Sequence, residues 1–189
     1  GYFREAVHYC EATQFAPAMI GACIGLGTSH LTLWDMDEAR RHLEKGIKLP
    51  VTSYQSALCG CLGMVHLFSG DLMNARSCAE EALRLAQEHA ENAWEGFAWI
   101  VLGAVLSVAD PLQSTKAEEC LLKGIALEEE LGAKMFCCMG HFFLGQHYDL
   151  SGQRDKAVER LTTARSMFKE MGMDFWLTLA ESSLSSMLE

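Results

Sequence analysis

The strongest constraint on this chain is a repeat of small residues at fixed spacing. Leu26-Gly27 precedes Ala39, Leu62-Gly63 precedes Ala75, and Leu144-Gly145 precedes Ala157; in each, a glycine at i is answered by an alanine at i+12. A fourth copy runs from Leu102-Gly103 to Ala117, i to i+14, the extra two positions lying in the Ala109–Thr115 stretch around Pro111. Four positions after each alanine stand Leu43, Ala79, Leu121 and Leu161, and seven after it stand Gly46, Ala82, Gly124 and Ala164. The alanines recur with periods of 36, 42 and 40 (75−39, 117−75, 157−117). Turn formers separate the two halves of a copy at Gly70-Asp71 and Gly152, with Trp34-Asp35 in the first.

Small residues at such intervals are what paired helices require. Two antiparallel helices approach closely where each presents Gly or Ala, and larger neighbours fill the flanking grooves. The spacing therefore predicts hairpins in which the glycine of one helix meets the alanine of the next. With only 3 prolines in 189 residues, long helices are uninterrupted. A single hairpin cannot cover its own apolar face, so successive hairpins must stack.

This order of Leu-Gly, turn, Ala and second small residue resembles the tetratricopeptide repeat (TPR) family over nearly the whole chain. The opening Gly1-Tyr2-Phe3-Arg4-Glu5-Ala6 is similar to the turn and second helix of a truncated repeat, with Ala6 standing close to one family repeat length before Ala39. The resemblance implies an all-α fold: a right-handed α-α superhelix, or TPR-like solenoid, of about four and a half helical hairpins plus a C-terminal capping helix. The expected organisation is one domain over 1–189, with a half repeat at 2–13 and hairpins at 16–48, 52–89, 91–131 and 133–171. A capping helix follows at 174–188, with Asp174 as its N-cap and Ser182, Ser183, Ser185 and Ser186 on a polar face. The long periods and the ending from Phe168 to Leu177 are similar to TPR arrays at the C-terminal ends of large bacterial regulators, signalling ATPases and nucleotide cyclases. A chain that opens at Gly1 without Met then reads as a piece of a longer protein.

Charge narrows the partners. A net charge of −10 repels phosphate backbones and anionic headgroups, so neither nucleic acid nor a membrane surface is expected as a direct partner. The longest apolar runs, Phe15–Gly27 and Trp99–Ala109, are shorter than a bilayer span. The 8 cysteines include no C-x-x-C pair, and most lie in apolar segments. They read as buried reduced thiols in a cytoplasmic protein. No G-x-S-x-G, H-E-x-x-H or phosphate-loop motif is present, so no enzyme activity, catalytic residue, metal or cofactor is expected.

In TPR-like arrays the first helices of successive hairpins line a concave groove. The resemblance places Ile24, Thr28 and Leu31 there from the first full hairpin, then Met64, Leu67 and Phe68, then Phe97, Ile100 and Ala104, then Met139, Phe142, Gln146 and Asp149. Such a groove suits an amphipathic helix or an extended apolar peptide, unless the chain's own winding, a flanking domain or a second copy covers it. The first helices carry no Arg and only Lys134, which excludes a clamp for acidic tails or phosphopeptides. His30 and His66 hold equivalent places and read as packing rings, as does His141 beside Cys137 and Cys138. The expected function is a protein–protein interaction scaffold within a larger bacterial signalling or regulatory protein. The alternative is an effector-sensing module of a transcriptional regulator or nucleotide cyclase, and self-association into a homo-oligomer is a separate expectation.

Overall fold

A computed structural model describes residue 5 and residues 16–50 and 54–187. The half repeat expected at 2–13 otherwise lies outside the described residues, where only Glu5 is assigned, as helix. The elements run α1 (Ala16–Thr32), α2 (Met36–Ile47), α3 (Gln55–Phe68), α4 (Leu72–Glu88), α5 (Asn92–Ala109), a 3-10 turn (Pro111–Gln113), α6 (Ser114–Glu130), α7 (Lys134–Leu150), α8 (Arg154–Glu170) and α9 (Asp174–Ser186). No strand occurs among the described residues. The helices gather into two compact units, Gly1–Trp94 and Glu95–Glu189.

The turns share one device. At Trp34, Gly70, Ala90, Gly132, Gly152 and Gly172 the backbone enters the left-handed region, with φ between 53° and 77°. The next residue's N–H then reaches back to a carbonyl in the last helical turn, as in Asp71 N–H to His66 O (2.9 Å) and Gln153 N–H to Tyr148 O (2.8 Å). This closes the orphan carbonyls of the helix end. Four of the six positions are glycine, which adopts this φ freely, whereas a Cβ there costs about 1–2 kcal/mol. Ala90, with φ 53° and no side chain to lose beyond a methyl, is the simplest site for relief. Ala90→Gly is expected to raise stability by about 1 kcal/mol and Tm by about 2–4 °C. Calorimetry reading a lower Tm would contradict it.

Asp35 and Asp71 cap α2 and α4, accepting N–H bonds from Glu38 (3.3 Å) and Asn74 (3.2 Å). In the third hairpin Asp110 takes over the link, accepting from the Leu112 N–H at 3.0 Å and the Gln113 side-chain amide at 2.6 Å. Asp174 is the first residue of α9 and not its cap; Met173 holds the cap position. The carboxylate still lies where the helix dipole favours negative charge.

The repeat glycines do not simply meet alanines. A Cβ on Gly27 would lie 2.5 Å from Leu43 Cγ, one on Gly103 2.6 Å from Leu121 Cγ, and one on Gly145 2.6 Å from Leu161 Cγ. Each glycine thus makes the hollow that seats the leucine one helical turn after the repeat alanine, and all three leucines are fully buried. The alanines Ala39, Ala75, Ala117 and Ala157 are fully buried too. The second small position works on backbones: a Cβ on Gly124 would meet Gly96 O at 2.7 Å and Ile100 N at 3.0 Å.

One helix among the described residues, α5, is long and apolar enough to cross a membrane. It extends the apolar run seen in the sequence back to Asn92, and over half of it is buried inside the protein.

Candidate functional site

The first helices of the hairpins are covered on more than one side. In α3 every residue from Ser56 to His66 is buried; in α5 the same holds from Gly96 to Leu106 except Trp99, and in α7 from Cys137 to Tyr148 except Gln146. Their apolar character extends around the whole circumference, as such burial requires.

This decides where the expected groove residues lie. Leu31, Met64, Phe97, Ile100, Ala104, Met139 and Phe142 are buried in the chain itself. Ile100 packs beneath Gly124 and Gly140, and the Phe97 ring lies 4.8 Å from that of Phe136. Phe142 sits among Phe143, Trp176 and Phe168, at centroid distances of 5.2, 5.8 and 6.3 Å. These side chains present no open surface to a ligand. Ile24, Thr28, Leu67, Phe68 and Gln146 are half-buried and Asp149 is exposed. Thr28 Oγ1 donates to Ile24 O at 2.9 Å, so its hydroxyl is spent on its own helix.

In the first unit an accessible apolar strip surrounds the α1–α2 turn. Trp34, 54% exposed, stands edge-to-face on Phe68 at 5.6 Å. Leu33 beside it is 73% exposed. The sequence reading missed Trp34 because it counted only first-helix positions; an aromatic residue where four of the other five turns carry glycine was the available signal. The same unit holds an open cleft of about 390 Å³, lined by Leu49, Pro50, Gln55, Leu85 and His89 and flanked by Arg84. Arg84 is held by Glu81 at 2.7 Å and by Glu88.

Several of the remaining polar groups have local partners. His147 Nδ1 lies 2.9 Å from Ser107 Oγ, and the Tyr148 hydroxyl donates to Glu118 at 2.7 Å. Burial and that carboxylate push the tyrosine up to about 12. Glu129, Cys137 and His141 bring ligand-type atoms within 4.8 Å of one another. Arg160 stands 3.4 Å from His141 Nδ1, and burial pushes the Cys137 thiol up, so this trio is unfavourable for a cation as it stands. Next to it, Glu128 is fully buried with neither carboxylate oxygen hydrogen-bonded.

No protein-family model matches the sequence, and no curated protein does either. Solved structures do match in fold. A signal transduction ATPase with numerous domains from Pyrococcus horikoshii, carrying a tetratricopeptide repeat sensor, aligns over 100% of this chain and 30% of its own at a TM-score of 0.60 and 13% identity. A putative kinesin light chain from Podospora anserina with nearly identical TPR-like repeats aligns over 90% of this chain and 89% of its own, at 0.55 and 18%. MamA aligns over 92% of this chain and 90% of its own, at 0.52 and 20%. The chain has an all-α, TPR-like repeat fold.

Proposed function

We propose that the chain is a protein–protein interaction scaffold, part of a larger signalling or regulatory protein, that holds an apolar or amphipathic segment of its partner. The carrying observation is the accessible strip of Trp34, Phe68, Leu67 and Leu33, a patch of apolar surface on a chain of net charge −10. Two aromatic and two aliphatic side chains match the apolar stripe of a helix, and the chain's net charge of −10 favours basic flanks on that helix. Ile24 and Thr28, and in the second unit Gln146 and Asp149, are the other groove positions with surface to offer.

A non-catalytic role in the cytoplasm fits the thiols. Burial pushes Cys59, Cys61 and Cys138 up to about 12, which keeps them protonated and unreactive. The seven described cysteines are all free of disulfides.

The test is fluorescence anisotropy against basic amphipathic peptides with Trp34→Asn and Leu67→Gln together. Asn tolerates the left-handed backbone at position 34, so one ring and one aliphatic side chain of the strip are lost without added strain. Each anchor contributes roughly 1.5–3 kcal/mol when buried, so binding is expected to weaken at least about tenfold with the circular dichroism unchanged. Equal affinity would remove the strip from the reading.

A small-molecule sensor is the second reading, favoured by the open cleft beside Leu49 and Leu85. A metabolite that raises Tm in the wild type but not in Leu85→Asp would support it.

A further inference from the structure

The α1–α2 hairpin folds its two helices against one another across the Trp34 turn. Gly27 receives Leu43 in this way, and nearer the turn His30 lies against His42. The two imidazoles stack with centroids 5.5 Å apart and 26° between their planes. Glu38 stands one helical turn before His42, with Oε2 3.7 Å from His42 Nε2. One ligand atom from each of His30, Glu38 and His42 falls within 4.8 Å of the other two. A tetrahedral cation at about 2.0–2.1 Å from its ligands needs donors about 3.4 Å apart, a contraction within reach of side-chain rotation.

An outer carboxylate is already in place. Asp35, fixed as the cap of α2, sets its Oδ2 3.2 Å from His30 Nδ1. A carboxylate can only accept, so it favours the tautomer with hydrogen on Nδ1 and the lone pair on Nε2, as in a histidine metal ligand.

The second hairpin serves as an internal control. His66 and Asp71 repeat the histidine–cap pair at 3.4 Å, which shows that this pair has a role in the turn itself. At the positions equivalent to Glu38 and His42, one repeat on, stand Asn74 and Cys78. Only the first hairpin supplies a carboxylate and a second imidazole.

We propose that His30, Glu38 and His42 form a binding site for a zinc-class transition cation, with Asp35 orienting His30 and one coordination position left for water or a further ligand. Two imidazoles and one carboxylate select zinc, copper, nickel or cobalt over magnesium and calcium. Arg41 holds the same Glu38 oxygen, and Arg40 and Lys45 add positive charge on α2, with Asp37 paired to Arg40 at 2.5 Å. Arg41 is exposed, so the ion pair the cation must displace is a weak one.

The test is titration of the chelator-stripped chain with Zn²⁺ by calorimetry and with Co²⁺ by visible absorption, with Tm followed alongside. One equivalent is expected to bind and raise Tm. Asp35→Asn is expected to weaken binding about 10–100-fold, and Glu38→Gln and His42→Gln by at least as much. His66→Gln and Cys137→Ser are expected to bind like the wild type. Glu38 is only half-buried and Gln keeps its shape, so its variant remains informative even if His42→Gln folds poorly. Unchanged affinity in Glu38→Gln, or binding that disappears in Cys137→Ser, would overturn the site.

Discussion

Phe142→Ala is expected to cost the second unit about 4 kcal/mol, the largest loss of any single substitution considered. The ring is fully buried and touches three others, Phe143 from its own helix, Phe168 from α8 and Trp176 from α9. Truncation removes the transfer free energy of a phenyl group. It also leaves a cavity that the surrounding rings cannot fill, since Phe168 and Trp176 are already stacked at 5.9 Å and 24°. Urea unfolding followed by tryptophan fluorescence measures the loss, because Trp176 lies inside the cluster. In a cycle with Trp176→Phe the two changes should couple by about 0.5–1.5 kcal/mol, the usual contribution of an edge-to-face pair. A cost under about 1 kcal/mol would mean that Phe142 lies on an accessible face, and the groove expected from the sequence would then return.

That contrast shows what could be read in the sequence and what could not. Where helix backbones approach, atoms must be absent, and their absence is visible as residue identity: Gly103 lies so close to α6 that a Cβ would sit 2.9 Å from Ala117 O. The fold class followed from such positions. Register also told which residues face inward from the first helices, but not whether anything covers them. Phe142 is closed off by Trp176, which arrives two helices later in the chain, and no local pattern encodes that contact. The turns divide in the same way. Gly70, Gly132, Gly152 and Gly172 announce a left-handed backbone, whereas Trp34 and Ala90 adopt it despite carrying a Cβ that disfavours it. His30 and His42 belong to different helices, and each is an ordinary helical histidine until the hairpin closes.

Glu128 was invisible for a related reason, since a glutamate amid Glu129 and Glu130 reads as a solvated helix face. In the fold it is fully buried against Gly96, where a Cβ would collide with its carboxylate. Burial pushes its carboxyl up from 4.5 to about 7, and the Phe97 backbone N–H, which falls short of a full hydrogen bond, pulls only partly back. The folded state therefore keeps a proton that the unfolded chain releases near 4.5, so it binds more protons between about pH 4.5 and 7. Stability then falls as pH rises through that window and levels off above it. The shift is worth about 3 kcal/mol once the group is charged. Glu128→Gln keeps the shape and removes the titration. Relative to the wild type its stability is expected to change little at about pH 4 and to gain about 3 kcal/mol by about pH 8; the difference between the two pH values cancels whatever an unbonded buried amide costs in itself. Urea midpoints of both proteins across this range measure it. Parallel curves would show that Glu128 reaches water when ionised, whereas convergence at the acid end would show that a buried charge sets the upper limit on the stability of this unit.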